Sequence, residues 1–292
     1  MDHFDRPVSF RRDALTFQHA LTWRLRWRLL VFGTFATLLC GNGWIGHHSV
    51  GLELGLSPYE AAGTALGLLL VLRTNAGYER WWEGRKLWGG IADRCRHLAV
   101  VALSYGPDDP AWRGRAVRLV AAFAHAARRG LRGERDLPEV VLLLGAEDAA
   151  TIAAARHMPS YVALLLADHF REGCAGLARD RLVYLEADRD LAALLDYVGG
   201  CERIRETPLP RGYAVLIRHF IIVFLVTLPF ALLKKVGWQT PFITMLVAYP
   251  ILALDEIGDS LQRPFSLTCL DPLPLDDICR AIEGDLLTLP AA

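Results

Sequence analysis

Enzyme signatures are nearly absent from this sequence. It holds no Gly-x-x-x-x-Gly-Lys loop to cradle phosphates, no Gly-x-Ser-x-Gly turn to raise a nucleophile, and no His-Glu-x-x-His pair of zinc ligands. Neither sign of charge is in excess: Lys and Arg together number 32, and so do Asp and Glu. No basic surplus argues for nucleic acid as a partner, and nothing is acidic enough to act as a solvating tail. The six cysteines, at 40, 95, 174, 201, 269 and 279, include no Cys-x-x-Cys pair and keep no regular spacing. That pattern indicates neither a zinc site nor a disulfide framework and leaves free thiols in a reducing cytoplasm. His47 and His48 are neighbours in a loop and point apart, which makes them a poor metal pair. Asp108-Asp109 and Asp276-Asp277 lack the further carboxylates of a calcium loop. Asp276-Asp277 stands before the helical stripe Ile278, Ile282, Leu286, where the helix macrodipole alone accounts for the acids. Asp168-His169 reads as part of a solvated helix face. No cofactor and no resident metal are expected. A signal peptide is not expected either, because residues 1–28, rich in Arg and aromatics, precede the first apolar run and no small-residue cleavage site follows.

What the chain does have is apolar mass. Hydrophobic residues make up 53% of its 292 residues while 22% are charged, and the mean hydropathy is +0.25. Both values fit a chain whose parts are segregated, some in lipid and more in water. Four segments are candidate membrane helices: 29–45, 56–72, 213–233 and 240–254. A helix needs about 20 apolar residues to cross the hydrocarbon. Only 213–233 meets that length cleanly, and it carries Arg218 and His219 near its start. The others are short or interrupted by glycine, as in helices that shelter one another in a bundle or line a wet path. The cytoplasmic region comprises 73–212 and 255–292, with breaks at 106–110, 130–133 and 206–208. Its apolar residues recur at helical spacing, as in Leu119, Val120, Phe123 and Ala127, and strand signals are sparse. The expected fold class is all-α, a single four-span subunit over 1–292 with a large helical cytoplasmic region. Residues 56–72 run into RTNAGYERWWEGRKLWGG without a breaker.

Arginines crowd the approach to the first span (Arg11, Arg12, Arg24, Arg26, Arg28) and the exit from the second (Arg73, Arg80, Arg85), whereas residues 46–55 carry no Lys or Arg. The excess of cytoplasmic Lys and Arg in membrane proteins therefore places both termini in the cytoplasm and 46–55 outside. Lys234 and Lys235, in the outer loop of the second hairpin, run against that scheme but are outnumbered.

The second span has the most informative pattern. Ser57-Pro58-Tyr59-Glu60 reads as a capping box with proline in the first turn. Glu60, Thr64, Leu68 and Leu72 then share one face, while Gly63 and Gly67, with Ala62, make a neighbouring small-residue face suited to close helix packing. The first face grades from acid through hydroxyl to apolar. It suits an ordinary packing surface or, with several copies around an axis, the wall of a narrow and mostly hydrophobic pore.

Residues 73–88, RTNAGYERWWEGRKLW, closely resemble the motif that follows the second helix of bacterial bestrophin homologues. Cys201-Glu202-Arg203-Ile204 with Thr207-Pro208-Leu209-Pro210, Leu228-Pro229-Phe230-Ala231-Leu232, and Leu273-Pro274-Leu275-Asp276-Asp277-Ile278-Cys279 match further signatures in order. The resemblance covers roughly 25–290. It implies a homopentameric channel in a bacterial inner membrane with one central pore, passing small monovalent ions, with chloride and other anions the better-known cargo of the family. It places the narrow neck on Thr64, Leu68 and Leu72, and the cytoplasmic aperture on Leu182. Thr64 departs from the apolar residue usual in the family, which implies a wetter outer end of the neck. The calcium clasp of the animal members does not carry over, since Pro264-Phe265 is followed by a single acid, Asp271. Glu60, one helical repeat outside Thr64, is a candidate ring of carboxylates at the outer pore mouth, which favours cations. Two other readings are a non-conducting membrane scaffold or regulatory subunit and a membrane-bound enzyme with an unrecognised site. The partners expected are monovalent ions, the lipid bilayer and further copies of the chain, with no nucleic acid.

Topology is open to direct measurement. With single cysteines near residues 10, 50 and 290 in a cysteine-free background, only the one near 50 should react with an impermeant thiol reagent applied from outside. Labelling at 10 or 290 would overturn the arrangement.

Overall fold

Long runs of Ala, Leu and Arg broken by Gly-Pro and Thr-Pro pairs make a helical protein, and the computed structural model, which describes residues 20–45, 56–175 and 180–289, is one. Its elements are α1 (Ala20–Ile45), α2 (Leu56–Tyr105), α3 (Pro110–Arg132), α4 (Pro138–Leu144), α5 (Ala146–Ala154), α6 (Met158–Cys174), α7 (Asp180–Glu206), α8 (Arg211–Val236), a 3₁₀ turn (Gly237–Gln239), α9 (Thr240–Leu261) and α10 (Leu275–Leu287). No strand occurs among the described residues. As the absence of a breaker predicted, α2 is unbroken for 50 residues. Among the described residues two helical stretches are long and apolar enough to cross a membrane, Gly212–Leu233 with mean hydropathy 2.3 and Gly237–Leu261 with 1.4. The helix that holds the fourth expected segment, 240–254, runs on to Leu261.

The chain divides into two compact units. The first takes α1, α2 up to Tyr78, α8 and α9. Leu66 and Leu70 of α2 pack there with Ile217, Ile221, Leu225 and Leu228 of α8 and Leu252 of α9. Gly77 is required by a close approach: a Cβ there would stand 3.2 Å from the carbonyl oxygen of Gly258. The Gly63–Gly67 face behaves differently from expectation. An added Cβ at Gly63 would meet the Phe224 ring at an ordinary 3.4 Å, and one at Gly67 would meet nothing within 4 Å, so among the described residues no tight helix crossing uses this face. The capping box also needs correction. Helix α2 begins at Leu56, which puts Ser57 and Pro58 inside its first turn and the capping position outside the described residues. His47 and His48 lie outside them as well.

The second unit holds the rest of α2, α3 to α7 and α10. Helix α3 is defined at both ends. Asp109 caps it by accepting from Ala111 N–H at 2.9 Å, Pro110 opens the first turn, and Gly133 at φ 74° closes it. Leu119, Val120, Phe123 and Ala127 are buried as the spacing predicted, in a core with Trp88, Ile91, Ile152 and Phe170. His169 departs from the solvated face expected of it. Its ring stacks on Trp112 with centroids 4.7 Å apart, and its Nε2 donates to the Trp112 carbonyl at 3.0 Å. Burial holds the imidazole pKa below its usual value. Burial also pushes the Cys201 and Cys279 thiols up to about 12, far from the thiolate that redox or metal chemistry needs.

Asp276 is more than a complement to the helix dipole. Arg132 grips both of its carboxylate oxygens, at 2.9 and 2.7 Å, and the buried Arg128 reaches it at 2.6 Å. Arg128 also donates to Glu139 at 2.7 Å, and Arg129 joins Glu139 to Glu134. Sequence alone could not pair these residues, because 144 positions separate Arg132 from Asp276. One basic edge of α3 therefore ties down the starts of α4 and α10. Burial works against the charged form of Glu139, but the hydrogen bonds from Arg129 and Arg128 outweigh it and bring the carboxyl down to about 2. Asp276 is lowered chiefly by its bond to Arg132. Both folded pKa values lie below the unfolded ones, so this stabilisation is complete above about pH 4.5 and is lost as pH falls from there toward 2. Thermal unfolding of the purified protein at stepped pH should show that decline, and Glu139→Gln should flatten it. An unchanged pH profile in the variant would remove Glu139 from the account.

Candidate pore stripe

Helical geometry decides what α2 presents on each side. Leu66, Leu70 and Arg73 point into the first unit and are at most 1% exposed. On the other side Glu60 and Thr64 are exposed, and Leu68 and Leu72 are 61% and 51% exposed. Burying one leucine is worth about 1.5–3 kcal/mol, so two bare leucines in line on a rigid helix call for lipid, a second subunit or a narrow passage against them. The Thr64 hydroxyl donates to the Glu60 carbonyl at 2.8 Å. Its proton is thereby committed to the helix, which mutes the extra polarity expected at that position. The Glu60 carboxylate has no partner among the described residues. Leu182 stands in the first turn of α7 and is 68% exposed. The structure brings Glu60, Thr64, Leu68 and Leu72 onto one face of the first unit, while Leu182 belongs to the second.

Directly after Leu72 comes a residue that sequence reasoning used only as a marker of topology. The Arg73 guanidinium is 1% exposed and is ion-paired with Asp255 of α9, itself 3% exposed, and Asp259 Oδ1 stands 3.7 Å from its Nη2. Arg218 of α8 reaches Asp255 at 3.4 Å and Asp259 at 3.1 Å. Glu256, the next residue on α9, faces Arg24 and Arg28 of α1 at 3.4 and 3.3 Å. The signal was present: Arg218 lies inside an apolar run and Asp255, Glu256 and Asp259 follow another, and ionisable residues at membrane depth are expected to find one another. Only the pairing was missing.

The other motif residues hold the fold. Thr74 donates to the Leu70 carbonyl at 2.9 Å. Arg80 donates to the carbonyls of Ile204 and Thr207, closing the C-terminal end of α7. Trp81 donates to the Asp271 carbonyl at 3.2 Å, and Trp88 is fully buried. Leu228, Pro229, Leu273, Leu275 and Cys279 are likewise buried. After Pro264-Phe265 the chain is closed on itself by Ser266 and Thr268, whose hydroxyls lie 2.9 Å apart. Among the described residues no group of three or more His, Cys, Asp or Glu side chains is placed to hold a metal ion.

Comparison with known proteins gives a consistent picture. A family model described as bacterial/fungal bestrophin protein matches residues 3–288. The voltage-dependent anion channel-forming protein YneE of Escherichia coli (strain K12) is 35% identical over 249 residues, 84% of this chain and 80% of that one. The voltage-dependent anion channel-forming protein sll1024 of Synechocystis sp. is 29% identical over 268 residues, 89% and 85% of the two chains. A crystal structure of a bacterial bestrophin homologue from Klebsiella pneumoniae matches with a TM-score of 0.80 at 27% identity, covering 90% of this chain and 97% of that one.

Proposed function

The chain belongs to the bacterial and fungal bestrophin family, and on that footing we propose that it is the subunit of an anion channel in the cell membrane. Five copies surround one pore, each crossing the membrane four times, through 29–45, 56–72, 213–233 and 240–254, with both termini in the cytoplasm. The observation that carries the reading is the exposed leucine stripe of α2, held against a fully buried face by the Arg73 ion pair. The names of the relatives support anions as the cargo, and they point to a channel rather than an enzyme. Thr64, Leu68 and Leu72 form the neck, Leu182 the cytoplasmic aperture, and Glu60 the outer mouth. Ions cross passively. The neck acts as a hydrophobic constriction: water leaves a narrow apolar ring more easily than a polar one, so the ring blocks ions when dry and passes them when wetted. A non-conducting scaffold or regulatory subunit would give no ion flux from purified protein in liposomes.

Replacing Leu68 or Leu72 with Ala widens and wets the neck, so single-channel conductance or open probability should rise in planar bilayers. Leu182→Ala should instead change conductance or selectivity at the cytoplasmic end. Wild-type currents in all three variants would reassign these leucines to packing.

The outer mouth sets a competing preference. Five Glu60 carboxylates attract cations and weaken the selection of anions. Glu60→Gln removes the charge and keeps the size of the side chain. Under a salt gradient its reversal potential should move toward the anion equilibrium potential, and Glu60→Lys should move it further. Normal assembly of both variants with no shift in either would exclude Glu60 from permeation.

A further inference from the structure

Helix ends of the second unit meet around a cavity of about 260 Å³: the last turn of α3, the first turn of α6 and the last turns of α7. Sites for drug-sized ligands occupy about 300–1,000 Å³ and one water takes about 30 Å³, so the space suits a small ion with part of its hydration. Its walls are basic, and two of the cations are fixed from different sides. Arg135 donates to the carbonyls of Ala153, Ala155 and Arg156, which holds its guanidinium against the junction of α5 and α6. Arg205 donates to the carbonyls of Gly130 and Leu131 at 3.0 and 3.4 Å, which holds its guanidinium against the end of α3. It also reaches Glu206 at 2.8 Å. A guanidinium carries more N–H donors than these bonds use, so both arginines keep donors to offer. Arg156 lines the cavity as well.

The acids of the cavity are already taken. Glu202 faces His157 Nε2 at 2.9 Å, and Glu134 accepts from Arg129 at 2.7 Å. Arg135 and Arg156 have no carboxylate partner among the described residues, and backbone carbonyls orient Arg135 without cancelling its charge. Met158 and Pro159 bring the first turn of α6, the positive end of a 17-residue helix, to the same space. An anion is therefore the group that would complete the cavity. A carboxylate is planar and is served by a single guanidinium fork. Arginines on separate walls match instead an ion whose oxygens point in several directions. We propose that this cavity binds a tetrahedral oxyanion, inorganic phosphate or sulfate, held by Arg135, Arg156 and Arg205. The ion relieves the repulsion among arginines gathered in one place and bridges the ends of α3, α6 and α7. Every residue of the site belongs to the second unit, so it stands apart from the pore stripe and does not depend on the channel reading.

The test titrates the purified full chain in detergent with sodium phosphate and with sodium sulfate by calorimetry, against sodium chloride at matched ionic strength. Each oxyanion should bind saturably, one per chain, and sulfate should displace phosphate; the tighter of the two identifies the ligand. The exposed Arg156 side chain has no partner to lose, so Arg156→Gln should leave the fold unchanged and weaken both ions several-fold. Arg156→Glu should abolish binding, and Arg156→Gln decides alone if that variant misfolds. Arg118→Gln, on an exposed position of α3 outside the cavity, should change neither affinity. Heats no larger than those of added chloride, or wild-type affinity in the Arg156 variants, overturn the site. So does an equal loss in Arg118→Gln, the result expected of diffuse surface charge. Succinate binding as tightly as sulfate would overturn the assignment to a tetrahedral ion.

Discussion

A buried arginine is the constraint around which the first unit is arranged. Removing an ion from water costs several kcal/mol unless partners and hydrogen bonds replace the hydration. Arg73 meets that demand in part: its Nη1 bonds Asp255 and Asp259 stands 3.7 Å from its Nη2, while Nε and Nη2 find no hydrogen-bond partner among the described residues, and the two acids also draw in Arg218 from α8. Glu256 extends the chain of charges to Arg24 and Arg28 on α1. Four helices thus meet at one level, but only Arg73 and Asp255 are buried, and removing one partner of such a pair costs about 3–5 kcal/mol; Arg24, Arg28 and Arg218 keep part of their hydration and add little. Apolar packing around Leu66 and Leu70 tolerates some sliding and rotation; an ion pair with a fixed length does not. The pair therefore sets which face of α2 turns inward, and by exclusion which face is left bare.

That division gives α2 two functions along one helix. Its inward residues, from Leu66 to Trp88, are consumed by packing, by the ion pair and by the carbonyls that Arg80 closes. Its outward residues, Glu60, Thr64, Leu68 and Leu72, are left exposed. In the channel proposed above, the acid-to-apolar gradient on the bare side would hold selectivity in tension: the leucines would restrict the passage irrespective of sign, while Glu60 would oppose the anions that the family relatives are named for. Rigid support matters for such a ring, because a hydrophobic constriction works through its radius, and a helix free to rotate would not hold one.

Much of this was legible before any coordinates. The helical class, the unbroken run through residue 73, the turns at 106–110 and 206–208 and the buried positions of α3 follow from periodicity and breakers, which act over a few residues. The stripe of Glu60, Thr64, Leu68 and Leu72 needed only the pitch of a helix. Failures came wherever a local rule met a distant partner. Asp276 looked like a dipole complement until Arg128 and Arg132 came against it. His169 looked solvated until Trp112 stacked on it. The Gly63–Gly67 face looked like a helix crossing, yet a Cβ at Gly67 would meet nothing within 4 Å among the described residues. Ser57 looked like a cap because its motif was right, although α2 begins one residue earlier.

By itself, then, the sequence determined what depends on neighbours within a turn or two: helix type, helix length, the apolar and charged faces, and the ordered motifs by which the family is recognised. Tertiary structure alone decided which charges became partners. Asp255 stands 182 positions from Arg73, and nothing in either local stretch says which of the many carboxylates an arginine will meet. The physical reason is that helical periodicity is a short-range property of the backbone. The desolvation of a charge depends on everything packed around it, and so exists only once the helices have come together.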